Sequence, residues 1–241
     1  MKSNSSNIKR SVISLTFLFF STILLSQSFT KEELLGKINP ATDSLFTKIE
    51  KIHTAKPNIY LRKEAYAAFT AMAEAAKKEG ITMTIISATR TFDAQKYIWE
   101  KKWVRSDYIK FPESIRASEI MKYSSMPGTS RHHWGTDIDI NSLENNYFTK
   151  EEGKKLYEWM QKNAHSFGFV QTYTDKSNGR TGYEEEKWHW SYIPIAEKML
   201  SAYLTKISYE DLTGFLGSNY AKELKAIEHY VSGIETIPLK K

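Results

Sequence analysis

The sequence has no cysteine. That excludes disulfides, thiolate metal ligands and a lipid-modified cysteine near the N-terminus. An exported fold of this size can be stable without disulfides. The chain of 241 residues also lacks a Pro/Gly/Ser-rich linker, an internal repeat and any low-complexity tract. One domain is expected. Its longest apolar run, Ser11 to Leu25, falls short of the ~20 residues a spanning helix needs and contains several Ser and Thr. Lys2, Lys9 and Arg10 precede this run, and Ser26-Gln27-Ser28 follows it with small residues at the spacing a signal peptidase reads. Residues 1–28 are therefore expected to be a secretory signal peptide cleaved near Ser28. The chain would be exported, with membrane contact only through this segment if it stays uncleaved. Strong net charge is missing too. The formal charge is +6, and removing those three cations leaves 31 of 34 basic residues against 28 acidic ones. So mild an excess gives no reason to expect nucleic acid as a partner.

What is present is a packed core and mixed patterning. Hydrophobic residues make up 41% of the chain and aromatic ones 13%, ample for a single core. Residues 31–58 carry apolar side chains at helical intervals (Leu34, Leu35, Ile38, Leu45, Phe46, Ile49, Ile52), broken at Asn39-Pro40. His53 lies in a charged run and is expected at the surface. Leu61 to Glu79 has a clear apolar stripe and Gly80 beyond it, which predicts a helix. Residues 81–87 predict a strand, 92–103 a helix, and 104–129 a polar loop with a short helix near 113–123. Thr149-Lys150-Glu151-Glu152 has the form of a capping box and predicts a helix start. Strands are expected at 167–173 and 188–193, and Pro194 opens a helix to about 206. Residues 208–241 are expected to be a helical extension of the same domain, with His229 exposed. Without a regular βαβ rhythm, the class is α+β: a small antiparallel sheet flanked by helices.

Three stretches carry chemistry. In Ser130-Arg131-His132-His133-Trp134-Gly135-Thr136-Asp137-Ile138-Asp139-Ile140, strand alternation puts both aspartates on one face and both isoleucines on the other. Histidines and aspartates so close together form either a metal site or a buried ion pair. Glu184-Glu185-Glu186-Lys187-Trp188-His189-Trp190 places a histidine among aromatic residues, three positions after a glutamate. A neutral imidazole there is a good metal ligand, and Glu186 is within reach as a general base; a solvated acidic turn is the alternative. Ser87-Ala88-Thr89-Arg90-Thr91, with Gln95, puts an arginine at a strand end. Such an arginine binds an anion or a developing oxyanion, or forms a structural salt bridge.

Taken together, these stretches resemble the zinc D-Ala-D-Ala carboxypeptidase and D,D-dipeptidase family, the VanY-type peptidases, of the wider group that includes the hedgehog signalling domain. Ser-x-x-Arg-x-x-x-x-Gln is matched by Ser87, Arg90 and Gln95. Ser-x-His-x-x-Gly-x-x-x-Asp is matched by Ser130, His132, Gly135 and Asp139, and Glu-x-Trp-His by Glu186, Trp188 and His189. The resemblance implies one Zn²⁺ held by His132, Asp139 and His189, with Glu186 as the base and Arg90 on the scissile carbonyl. Ser130 and Gln95 would orient substrate or its neighbours, and Ser87, His133, Asp137 and Trp188 would touch substrate or support the ligands. Asp137 departs from the family pattern, which often has Ala there, and this leaves Asp137 and His133 as alternatives to the expected ligands.

The implied activity is removal of a terminal D-Ala from a peptidoglycan stem peptide by a monomer in the bacterial periplasm or cell envelope. Alternatives with the same site are an L,D-carboxypeptidase, a D,D-dipeptidase or an endopeptidase; a non-catalytic zinc-stabilised wall-binding module is a further one. Residues 29–207 would form the zinc peptidase domain. Arg131, Arg180 and Lys187 are the expected candidates for a substrate carboxylate. Other peptidase classes fit less well: there is no His-Glu-x-x-His, and Ser-x-x-Lys occurs only at Ser6–Lys9 and Ser28–Lys31.

Overall fold

The computed structural model describes residues 28–235; the expected signal peptide lies outside them, apart from Ser28. No helix among the described residues is long and apolar enough to cross a membrane. The class is α+β, as expected. A short helix α1 (Lys31–Leu34) is closed by a capping box between Thr30 and Glu33. Strands β1 (Phe46–Lys48) and β2 (Tyr60–Arg62) pair antiparallel, and helix α2 (Lys63–Lys77) follows directly. The helical spacing read over 45–52 is therefore misleading. Phe46 and Ile49 do face the core, but their segment gains its hydrogen bonds from β2, and tertiary pairing overrides a short local period. Leu61 likewise belongs to β2 rather than to α2.

The main sheet has four antiparallel strands in the order β3 (Ile85–Ser87), β4 (Asp137–Ile140), β6 (His189–Tyr192), β5 (Phe169–Gln171). Its register decides where the polar side chains go. Ser87 pairs with Asp139, and Asp139 with His189, so these three form one row across three strands. Ile138 pairs with Trp190 on the opposite face. Between Ile85 and Ser87 the β3 register shifts: Ile85 pairs with Ile140, and Ser87 with Asp139. Two positions along β3 thus match one along β4, and a bulge of this kind re-aims a side chain. Ile85 stays in the core while Ser87 turns to the polar face. The expected strand over 81–87 is shortened to its last three residues.

The apolar face of the sheet packs against α2 and α6 (Glu151–Asn163) through Ile85, Ile138, Ile140, Phe69, Met72, Leu156 and Trp159. Each such fully buried side chain contributes roughly 1.5–3 kcal/mol. A second core joins α3 (Phe92–Trp103), α5 (Glu113–Met121) and α7 (Ile193–Lys206) around Trp99, Trp103, Met121, Met199 and Tyr203. Between α3 and α5 lies one turn of helix, α4 (Ser106–Ile109).

Three expectations are corrected here. Residues 208–235 are not α-helical: they form 3₁₀ turns at Tyr209–Asp211 and Ser218–Tyr220 and a π turn at Ala226–Val231. Gly214 and Gly217 adopt positive φ, and Gly217 lies so close to Trp103 that an added Cβ would be 2.3 Å from its ring. The amphipathic residues still pack inward, with Leu212, Phe215, Ile227 and Val231 in the second core. The Thr149 capping box does not form. The Thr149 hydroxyl donates to the Asn146 carbonyl, and α6 begins at Glu151 without a side-chain cap. His53 is buried rather than exposed, with Nδ1 2.8 Å from the Tyr66 hydroxyl and its ring edge-on to Phe69. His229 is half-buried.

Gly135 connects the His132 turn to β4. Its φ is +68°, and an added Cβ would lie 2.3 Å from the Phe46 ring. Gly135→Ala is expected to destabilise the fold by more than ~1 kcal/mol, through left-handed backbone and overpacking together. A denaturant midpoint unchanged from the parent would contradict this.

Candidate metal centre and its cavity

A 3₁₀ turn, Arg131–Trp134, ends at the left-handed Gly135 and delivers the chain into β4. His132 projects from this turn. Its Nδ1 is 2.9 Å from the Ala88 carbonyl oxygen. A carbonyl can only accept, so Nδ1 carries the proton and Nε2 is left with its lone pair. Nε2 lies 3.3 Å from Asp139 Oδ2. From the neighbouring strand, His189 places Nδ1 3.1 Å from Asp139 Oδ1. The ligand atoms of His132, Asp139 and His189 all lie within 4.8 Å of one another, and all three residues are buried.

Asp137 lies in the same alternating row of β4 but does not join this cluster. Its Oδ2 is 2.8 Å from His189 Nε2 and accepts from Arg131 Nε at 3.1 Å. Its Oδ1 accepts from the hydroxyls of Ser191 and Thr136. All four partners are satisfied behind His189, so Asp137 supports that imidazole from its far side. This carboxylate–histidine pairing fixes ring orientation and leaves Nδ1 free to bind. His133 is also directed away from the cluster. Its Nδ1 donates to the Arg90 carbonyl at 2.6 Å, and Nε2 accepts from the Gly128 amide at 3.0 Å. It braces the backbone of Arg90 and does not face the cavity.

The electrostatics follow from burial and these partners. Burial lowers the pKa of His132 and takes that of His133 down to about 3. Burial also opposes charge on His189, but the carboxylates of Asp137 and Asp139 outweigh it and push its pKa up to about 9 in the metal-free chain. For Asp139 and Asp137 burial acts upward. The imidazoles for Asp139, and Arg131 with His189 for Asp137, hold both well below the usual carboxylate range. Two imidazole nitrogens and one ionised carboxylate, converging in a dry wall with the outer nitrogens already occupied, fit a divalent zinc-like ion that keeps one side open.

That open side is a cavity of about 740 Å³. Glu186 lines it, with Oε2 3.7 Å from His189 Nδ1. Burial raises its pKa to about 7, against the pull of His189. Arg90 lines the cavity as well. It donates to Gln95 Oε1 at 2.6 Å and to Ser87 Oγ at 3.1 Å, and its Nη2 is 3.8 Å from Asp139 Oδ2. Gln95 in turn donates to the Ser125 carbonyl, so the guanidinium is held by a chain of fixed groups. Ser130 and Trp188 also line the cavity, and the buried Ser130 hydroxyl has no partner among the described residues.

Several residues at the site are not evident from sequence. Asn145 holds the Glu186 loop at two points: its Nδ2 donates to the Glu185 carbonyl and its Oδ1 accepts from the Lys187 amide. Tyr173, Tyr183 and Lys102 line the cavity. An Asn-Asn pair in a loop and a lysine late in a helix carry no motif, so only the fold could locate them. The expected carboxylate-binding candidates are corrected. Arg131 is buried against Asp137 and stacked on Trp134. Arg180 is bonded to the carbonyls of Thr174, Thr181 and Gly233, and Lys187 lies over Tyr157. None of the three lines the cavity.

The family model for VanY, D-alanyl-D-alanine carboxypeptidase, matches residues 58–195. The putative carboxypeptidase YodJ of Bacillus subtilis (strain 168) is 34% identical over 56% of this chain and 46% of its own length. A D-alanyl-D-alanine carboxypeptidase of Enterococcus faecalis (strain ATCC 700802 / V583) is 26% identical over 67% of this chain and 58% of its own. The chain thus spans about half the length of these curated relatives. Among solved structures, the LdcB LD-carboxypeptidase, studied for peptidoglycan recognition, is 25% identical with a TM-score of 0.52, covering 76% of this chain and 79% of that one.

Proposed function

We propose that this chain, which belongs to the VanY family of D-alanyl-D-alanine carboxypeptidases, is a zinc-dependent carboxypeptidase that removes a terminal D-alanine from peptidoglycan stem peptides. The observation that carries this reading is the position of Glu186. A carboxylate with a pKa near 7 shares one cavity with a buried His/Asp/His cluster and an arginine. A metal held only for stability needs neither a base nor an oxyanion partner beside it.

His132, Asp139 and His189 would hold one Zn²⁺, which supplies Lewis acidity toward the scissile carbonyl. Glu186 takes a proton from the attacking water and passes it to the departing amine, a role suited to a pKa near the working pH. Arg90 directs its guanidinium at the oxygen on which negative charge develops. Ser87 and Gln95 fix that guanidinium in advance, so little reorganisation is needed when the charge forms. Asp137 keeps His189 oriented, and His133 keeps the Arg90 backbone in place. The enzyme would act as an exported monomer in the periplasm or cell envelope.

A second reading is L,D-carboxypeptidase activity, supported by the likeness to the LdcB enzyme. Purified chain with zinc should release one D-alanine from a stem pentapeptide under the first reading. Under the second it should convert a tetrapeptide to a tripeptide. Mass spectrometry of the two digests separates them, and no release from either peptide would defeat both.

A further inference from the structure

Helix α3 presents two faces. Phe92, Trp99 and Trp103 point into the second core. Gln95, Ile98 and Lys102, spaced by three and four residues, lie on another face. Gln95 holds Arg90, and Ile98 and Lys102 line the cavity. The cavity's fixed charges are then Asp139, Glu186 and Glu144 on the acidic side, and Arg90 and Lys102 on the basic side. Arg90 is already engaged by Gln95, Ser87 and Asp139. Lys102 is half-buried, and its side-chain ammonium has no hydrogen bond or ion pair among the described residues. An ammonium partly removed from water without a partner is unfavourable, and an incoming anion relieves the cost.

We infer that Lys102 is a specificity-determining residue that binds the free terminal carboxylate of the substrate. This rests on the carboxypeptidase reading above. In that reading the scissile carbonyl is reached by both Arg90 and Glu186, which line the same cavity. The terminal carboxylate is attached to the carbon that bears the leaving nitrogen, so it can reach only a short way beyond them. Lys102 lines the same cavity as both residues, two helical turns along α3 from Gln95, which holds Arg90. Its pKa is lowered first by burial, then by Arg105 and Arg90, and a bound carboxylate would reverse that shift. A cation here selects chain ends over internal bonds.

The test is binding rather than turnover. Full-length Glu186→Gln protein loaded with zinc is titrated calorimetrically with a stem pentapeptide ending in D-Ala-D-Ala and with its C-terminal amide. The acid should bind about ten-fold or more tighter, the size of one charge-assisted hydrogen bond. Adding Lys102→Met should remove most of that preference, and adding Lys102→Arg should keep it. An equal affinity for acid and amide in the parent, or a preference that survives Lys102→Met, overturns the inference. Failure of the carboxypeptidase reading has a different signature: no release of D-alanine by the chain with Glu186 intact.

Discussion

Glu186→Gln is expected to lower hydrolysis of stem peptides by about a thousand-fold, within the range for losing a general base, while the zinc content stays that of the parent. The amide keeps the size of the carboxylate and can hydrogen-bond, but it cannot accept the proton. Glu186 is not among the three clustered ligands, so metal binding should survive. The pH profile adds a second signature. Burial raises the Glu186 pKa to about 7, and only the ionised form can take a proton. Activity should therefore rise as pH increases through about 7, and the residual activity of the variant should lack that limb. Stability moves the other way. A carboxyl whose folded pKa is raised holds its proton more tightly when folded, so it favours the fold at low pH and loses that contribution between about 4.5 and 7. Removing it should leave the metal-free protein at least as stable at pH 8, as expected where a site is built at the expense of stability. Unaltered hydrolysis, or loss of zinc, would remove Glu186 from the role assigned to it.

Asp137→Ala should be the most damaging single change to the fold among the site residues. It leaves the Arg131 guanidinium, itself buried, without its anion, and breaking such a pair costs about 3–5 kcal/mol. It also strips the partner from His189 Nε2 and from two hydroxyls. Zinc affinity should fall about 10- to 100-fold, the usual cost of losing a carboxylate behind a ligating imidazole. Asp137→Asn keeps the volume and separates the two effects. The Asp137 pKa is held below its ordinary 3.8 by Arg131 and His189, despite burial. Its contribution to stability is thus fully present above about pH 4 and disappears as pH falls through the lower folded value. In metal-free protein the parent should lose stability on acidification below about pH 4, and the asparagine variant should lose less. Denaturant melts at several pH values would detect this, and parallel pH curves would contradict it.

Much of the site is legible in the sequence because strand alternation is a strict rule. Asp137-Ile138-Asp139-Ile140 shows both aspartates on one face, and the Glu186–His189 spacing brings base and imidazole to one strand start. Alternation alone does not say which aspartate faces the cluster; only the motif resemblance points to Asp139. Both share a face, and the choice depends on cross-strand register, which sets Asp139 beside His189 and Asp137 beside Ser191. Arg131 shows the same limit from the other side. In sequence it is a free cation near the motif; in the fold it is the buried partner of Asp137. The bulge that turns Ser87 to the polar face cannot be read from residues 85–87 alone. Helices α2, α3 and α7 are legible because their apolar stripes are long. The segments at 45–52 and 208–235 carry equally apolar residues, but pairing with β2 decides the first and the glycines at 214 and 217 interrupt the second.

Metal-dependent hydrolysis of the peptidoglycan stem in this cavity is the central proposal. The most direct measurement is mass spectrometry of muropeptides digested by the purified chain, with chelator, without it, and after zinc is restored. The expected result is loss of a single C-terminal D-alanine, abolished by chelator and recovered with zinc. A product that persists in chelator, cleavage confined to cross-links, or no product in any condition would contradict it.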